Sequence, residues 1–246
     1  MTYEENLKHT ILTPCQRCDM IPIVTRCQFN FQEVRSMSRG SPELAAARKE
    51  EIIAACAELN EIMSFREITI KEIGAATSFT RTSIYNYFET KEELFLALLQ
   101  KEYELWVEAM DAVMADQSAM TRDELSQTIA HTLTDRPRLL RLLSMNLYDM
   151  EANSRPERLA EFKVTYGASL NAVSRMVEKY VPEMDEDARQ QFLYAFFPFI
   201  YGIYPYTSVT EKQKIAMEQA GIPYVYQSAY DLTYKCLKKL LNGKEN

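Results

Sequence analysis

The chain offers little that could make or break covalent bonds. Its two histidines, His9 and His131, stand far in sequence from any nucleophile or acid pattern. No phosphate-binding glycine loop, nucleophile motif or HExxH zinc motif occurs. The sequence reads as that of a binding protein, not an enzyme, and calls for no cofactor. Cys15-Gln-Arg-Cys18, with Cys27 and His9, has the donor types of a zinc set. A single CxxC without a partner pair is a weak metal site, so these cysteines mark an alternative: a metal- or redox-responsive chain. The densest polar chemistry lies in Thr80-Arg81-Thr82-Ser83-Ile-Tyr85-Asn86-Tyr87. Short hydroxyls and tyrosines donate to phosphate oxygens, and an arginine fork matches the O6 and N7 edge of guanine. Thr69 and Lys71 precede this stretch, and Lys91 follows it at a helix start, where its charge and the free N–H groups together suit a phosphate.

The elements that must hold these residues are helices. Ser41-Pro42 is a helix start, and Leu44, Ile52, Ala55, Cys56, Leu59 and Met63 make one stripe, predicting a helix to about Ser64. Thr69-Ile-Lys-Glu72 is a capping box for a short helix over 70–76. Thr80 caps a second short helix over 81–87, with Ile73, Phe79, Ile84 and Phe88 turned inward. Thr90-Lys-Glu-Glu93 is another capping box, opening a long helix with the stripe Phe95, Leu99, Tyr103, Trp106, Met110 and Val113. Further helices are expected over 121–133, 136–151, 155–181, 185–204, 210–219 and 223–242, two of them opened by the boxes Thr121–Glu124 and Ser154–Glu157. Two short helices joined by a tight turn, after a longer one, form a helix-turn-helix pattern, which sets its second helix in the DNA major groove.

At these residues the sequence resembles the TetR family of transcriptional regulators. The resemblance covers about 42–100. It rests on Thr69-Ile-Lys-Glu-Ile73, Phe79-Thr80, Ser83-Ile-Tyr-Asn-Tyr-Phe88 and Thr90-Lys-Glu-Glu-Leu94. It implies an all-α homodimer: a three-helix DNA-binding module at 41–90 and a helical effector and dimerisation domain at 91–246. Such a protein represses from a palindromic double-stranded operator until a small molecule releases it. Two positions depart from the pattern. Thr77-Ser78 replaces the usual Ala-Gly, so the turn is expected to be strained or built differently. Thr82 stands where the family often has glycine, which bears on base contacts.

Composition fits a helical protein with a core. The 246 residues are 47% hydrophobic and 26% charged, with only 6 Gly and 9 Pro to break helices. The net charge of −7 runs against a nucleic-acid partner, so binding must rest on a few placed cations, with a shallow salt dependence. Arg35 and Arg39 precede the first helix as a candidate minor-groove arm. Residues 1–40 show no helical period and read as an extension, with Met37 as an alternative start. The apolar run at 192–206 is too short for a bilayer and is broken by Pro198 and Gly202, so the expected location is cytoplasmic, with no membrane partner. In the larger half, Tyr103, Trp106, Met110, Met145, Tyr148, Phe162 and Tyr166 are candidate effector contacts, and Asn146, on an apolar stripe, is the polar candidate. The aromatic run and the last helix are the expected dimer surface.

Overall fold

The computed structural model describes residues 42–145 and 147–242. Asn146, Cys15, Cys18, Cys27, His9, Arg35 and Arg39 lie outside the described residues. The described residues all belong to one compact unit. Among the described residues there is no strand, and no helix is long and apolar enough to cross a membrane.

Among the described residues twelve helices follow in order: α1 (Pro42–Ile62), α2 (Ile70–Ala75), α3 (Arg81–Ile84), α4 (Lys91–Asp116), α5 (Arg122–Thr134), α6 (Pro137–Leu143), α7 (Leu147–Ala152), α8 (Pro156–Tyr180), α9 (Glu186–Gly202), α10 (Tyr204–Thr207), α11 (Glu211–Gln219) and α12 (Ala229–Leu241). The long helix α4 is the spine. It packs on α1 at its start and on α5, α6, α7 and α8 along its length, while α12 lies against α5 and α9. Its predicted stripe is its buried face: Phe95, Leu99, Tyr103, Trp106 and Met110 are fully covered, and Val113 packs half-buried at the end.

Several boundaries differ from the sequence reading, each for a local reason. Leu44, expected on the α1 stripe, is exposed, because only the second half of α1 reaches the core. The span 136–151 is two helices, α6 and α7. Ser144 closes α6, its hydroxyl donating to the Arg141 carbonyl. The last helix starts at Ala229, not 223. Ser228 caps it by accepting from the Asp231 amide, and the aromatic and β-branched run Tyr224-Val-Tyr226 before it is poor helix material. Pro198 does not end α9; the chain breaks only at Ile203 and restarts with Pro205 in the first turn of α10.

The core beneath α4 is aromatic. The Trp106 indole N–H donates 3.0 Å to the Thr132 hydroxyl of α5, which in turn donates to the Ile129 carbonyl. Both residues are buried, so the bond has no water to replace it. Thr132→Val keeps the volume and strands the indole N–H. It is expected to lower the unfolding free energy by about 1–3 kcal/mol, read as a shift of the urea midpoint with unchanged slope.

Candidate nucleic-acid interface and buried aromatic cluster

Local capping fixes the two short helices. Thr69 accepts from the Lys71 amide at the start of α2, and its hydroxyl donates to Glu72. Thr80 accepts from the Ser83 amide at the start of α3, and the two hydroxyls are paired at 3.0 Å. The α-helical part of α3 ends at Ile84, shorter than the expected 81–87. Turns carry the winding on to Phe88, whose amide bonds the Ile84 carbonyl. Ile73, Ile84 and Phe88 are fully buried beneath it, and Phe79 packs half-buried.

The turn with the unusual Thr77-Ser78 is built differently. It is held from outside. The Glu51 carboxylate of α1 accepts from the Ser78 amide at 2.9 Å and from its hydroxyl at 2.8 Å, and these bonds hold that carboxyl below its ordinary range. A glycine has no hydroxyl to offer Glu51, so the serine substitutes a long-range bond for backbone freedom.

This packing leaves Thr69, Lys71, Thr80, Arg81, Thr82, Tyr85 and Asn86 exposed, with Ser83 half-buried among them. Arg81 donates 3.1 Å to the Tyr85 hydroxyl and lies over the Tyr85 ring, so the guanidinium is held along the helix. Two residues expected outward are turned in. Tyr87 is half-buried against the core. Lys91, expected to meet a phosphate, is half-buried, its ammonium 2.9 Å from the Phe65 carbonyl and 4.1 Å from the Phe65 ring. The amine closes the loop between α1 and α2, because that loop presents its carbonyls to the start of α4.

Sequence reasoning missed the residues that hold the exit of this module. Glu93 was expected to bond the Thr90 amide in a capping box. Thr90 does accept from the Glu93 amide, but the Glu93 carboxylate turns away. It accepts from the Glu89 amide at 2.9 Å, and from the Arg155 amide, Nε and Nη2 at 3.0, 2.7 and 2.8 Å. The expected Ser154–Glu157 box is absent too: Ser154 bonds back to the Met150 carbonyl, and Arg155 takes the cap position of α8. Burial of the Glu93 side chain raises its carboxyl affinity for a proton. The Arg155 and backbone hydrogen bonds outweigh that and hold it below the usual range. The signal available in sequence was only a glutamate beside a cap; its partner lies far along the chain.

The larger half brings together part of the expected effector set. Tyr103, Trp106, Phe162 and Tyr166 form one ring cluster, joined by Phe197. The Tyr103 and Tyr201 hydroxyls meet at 2.9 Å, and burial pushes the Tyr201 phenol up to about 12. Met110 is buried further along α4. Two candidates fall elsewhere. Tyr148 is 81% exposed on α7. Met145 lines a separate cleft of about 390 Å³ between the ends of α1 and α6, with Asn60, Phe65 and Arg141. Among the described residues, no group of three or more His, Cys, Asp or Glu could hold a metal. Cys56 is buried, which pushes its thiol up and makes it a poor nucleophile.

Residues 52–98 match the family model described as "Bacterial regulatory proteins, tetR family", and residues 100–243 match "Tetracyclin repressor-like, C-terminal domain". A search of curated protein sequences found no significant match. Solved structures share the fold. A TetR/AcrR-family transcriptional regulator from Thermobifida fusca is 19% identical with a TM-score of 0.54, covering 81% of this chain and 100% of its own. A transcriptional regulator from Cytophaga hutchinsonii is 16% identical with a TM-score of 0.55, covering 79% and 97%. Thermus thermophilus FadR, a TetR-family repressor in complex with lauroyl-CoA, is 18% identical with a TM-score of 0.53, covering 80% and 94%.

Glu93 gives a pH signature. Its folded-state affinity for a proton is depressed, so its stabilisation is complete above the unfolded value, about pH 4.3, and is lost as pH falls through the lower folded value. Glu93→Gln is expected to be less stable than wild type at neutral pH and to lose less further stability on acidification below that window. Urea unfolding at neutral and acid pH measures both. Lys91→Met keeps the apolar stem and removes the donors. It is expected to lower the unfolding free energy by about 1–3 kcal/mol, read in the same assay.

Proposed function

Because this chain belongs to the TetR family of transcriptional regulators, we propose that it is a homodimeric repressor that binds a palindromic operator and releases it on binding a small molecule. The observation that carries this reading is the exposed row Thr80, Arg81, Thr82, Tyr85 and Asn86 on a helix whose opposite side is locked into the core. Arg81, steadied by Tyr85, reads a base edge. Thr69, Lys71, Thr80, Thr82, Ser83, Tyr85 and Asn86 supply phosphate and groove contacts. Tyr87 and Lys91 serve the interface from behind, through packing and through the loop carbonyl.

The effector belongs in the region of the aromatic cluster around Tyr103, with Trp106, Met110, Phe162 and Tyr166 as its walls. The Tyr103–Tyr201 hydroxyl pair is a polar feature of that region and supports a ligand that is apolar with a hydrogen-bonding group. Its entry requires the cluster to open, which is the movement that would reach the DNA module. The dimer surface is the outer side of α9 and its neighbours, where Tyr194 and Tyr206 are exposed. A regulator of this kind works in the cytoplasm.

The test is selection of fragmented genomic DNA by the purified full-length chain in moderate salt, with sedimentation to fix the oligomer. A recovered palindrome bound by a dimer is the expected outcome; a folded protein that enriches nothing sinks the operator reading. On the recovered site, Arg81→Ala is expected to cost about 1–3 kcal/mol and to relax preference at one base pair. Equal losses on operator and random DNA would instead make Arg81 a phosphate contact.

A further inference from the structure

The helix that faces DNA is followed at once by a corner, Phe88 to Thr90, before α4 begins. Whatever fixes that corner fixes the pose of the helix. Within the module, the Glu89 amide is taken by the Glu93 carboxylate at 2.9 Å. The long-range polar contacts on this corner come from the α7–α8 joint, outside the helix-turn-helix. Arg155 holds Glu93 by its amide, Nε and Nη2. Its Nη2 also donates to the Tyr87 carbonyl at 3.4 Å, and its Nη1 pairs with Glu89 at 3.2 Å. Beside it, the Thr90 hydroxyl donates 3.0 Å to the Asn153 carbonyl.

We propose that Arg155 is a positioning residue for sequence reading: it sets the pose of the DNA-facing helix through Glu93 and the Tyr87–Glu89 corner without touching DNA. This rests on the operator reading above. Three features support it. The Glu93 side chain is fully covered, so its charge has to be matched within the protein, and a displaced Arg155 leaves it unpaired. The contact is a fork of two nitrogens on two oxygens, which fixes direction as well as distance; a lysine point charge cannot reproduce it. The joint that carries Arg155 also meets the aromatic cluster. Glu151, at the end of α7, pairs at 2.5 Å with Lys163, which lies 5.4 Å from the Phe162 ring and 5.7 Å from that of Tyr166. One short segment therefore faces the region proposed for the effector on one side and the exit of the DNA-facing helix on the other.

The opposing reading is that Arg155, 36% exposed at its side chain, grips a phosphate. Arg155→Lys and Glu93→Gln separate the two. Both keep a polar side chain of similar length, and circular dichroism with thermal melting establishes that each variant is folded. Affinity for the operator fragment selected by wild type and for random DNA is then measured across a salt series. Positioning predicts that each variant lowers the operator-to-random ratio by about tenfold, the scale of one misplaced base contact, with an unchanged salt slope. It also predicts faster hydrogen exchange at the Glu89 amide in Glu93→Gln, because that amide loses its charged acceptor. A phosphate contact predicts that Arg155→Lys is nearly silent, and that Arg155→Ala weakens operator and random DNA alike with a salt slope smaller by about one contact. That result, or an unchanged ratio in both folded variants, overturns the positioning role alone. Failure of wild type to select any DNA overturns the operator reading, and this proposal with it.

Discussion

A carboxylate without solvent needs its charge matched inside the protein, and Glu93 is such a carboxylate. Four N–H groups converge on it, and three of them belong to Arg155. The consequence is architectural. The first turn of α4, the corner after α3 and the start of α8 cannot be moved independently, because each contributes to or depends on the same buried charge. A pair like this adds little net stability over a well-packed apolar contact. What it adds is direction: the helix-turn-helix leaves the bundle at one angle.

The same logic recurs around the module. Glu51 of α1 holds the turn at Ser78, and Lys91 of α4 holds the Phe65 carbonyl in the loop between α1 and α2. Arg138 and Arg141 of α6 both reach Glu61 near the end of α1, and Arg138 also reaches the nearly covered Glu102 of α4. Charged side chains here are engaged by backbone and by one another. Arg81 and Lys71 remain outward because nothing in the core needs them.

The larger domain is built on a different principle. Its centre is aromatic contact about α4, joined by the side-chain hydrogen bonds Trp106–Thr132 and Tyr103–Tyr201. Ring packing tolerates sliding better than a buried ion pair, since dispersion is spread over many weak contacts. The ring cluster and the ionic joint at Arg155 thus differ in how tightly each fixes its neighbours.

The sequence by itself determined the helical class, several of the caps and most of the exposed row that begins at Thr80. These depend on nearest neighbours: Thr80 and Ser83, the stripe from Phe95 to Met110, and Thr121 with Glu124, which do form a reciprocal box. It also identified the ring set Tyr103, Trp106, Phe162 and Tyr166, because large aromatic residues at helical spacing are drawn to one core. Tertiary structure decided what long side chains do. Lys91 was legible as a cation at a helix start but not as a donor to Phe65, and Glu93 was legible as half of a capping box but not as the acceptor for Arg155. Tyr148 shares the aromatic type of its neighbours and lies outside the core, because α6 and α7 break apart at Ser144. The physical reason is range. A cap is chosen among groups within one turn, whereas a buried charge takes the partner that the packed fold brings to it, and that distance is not written in local spacing.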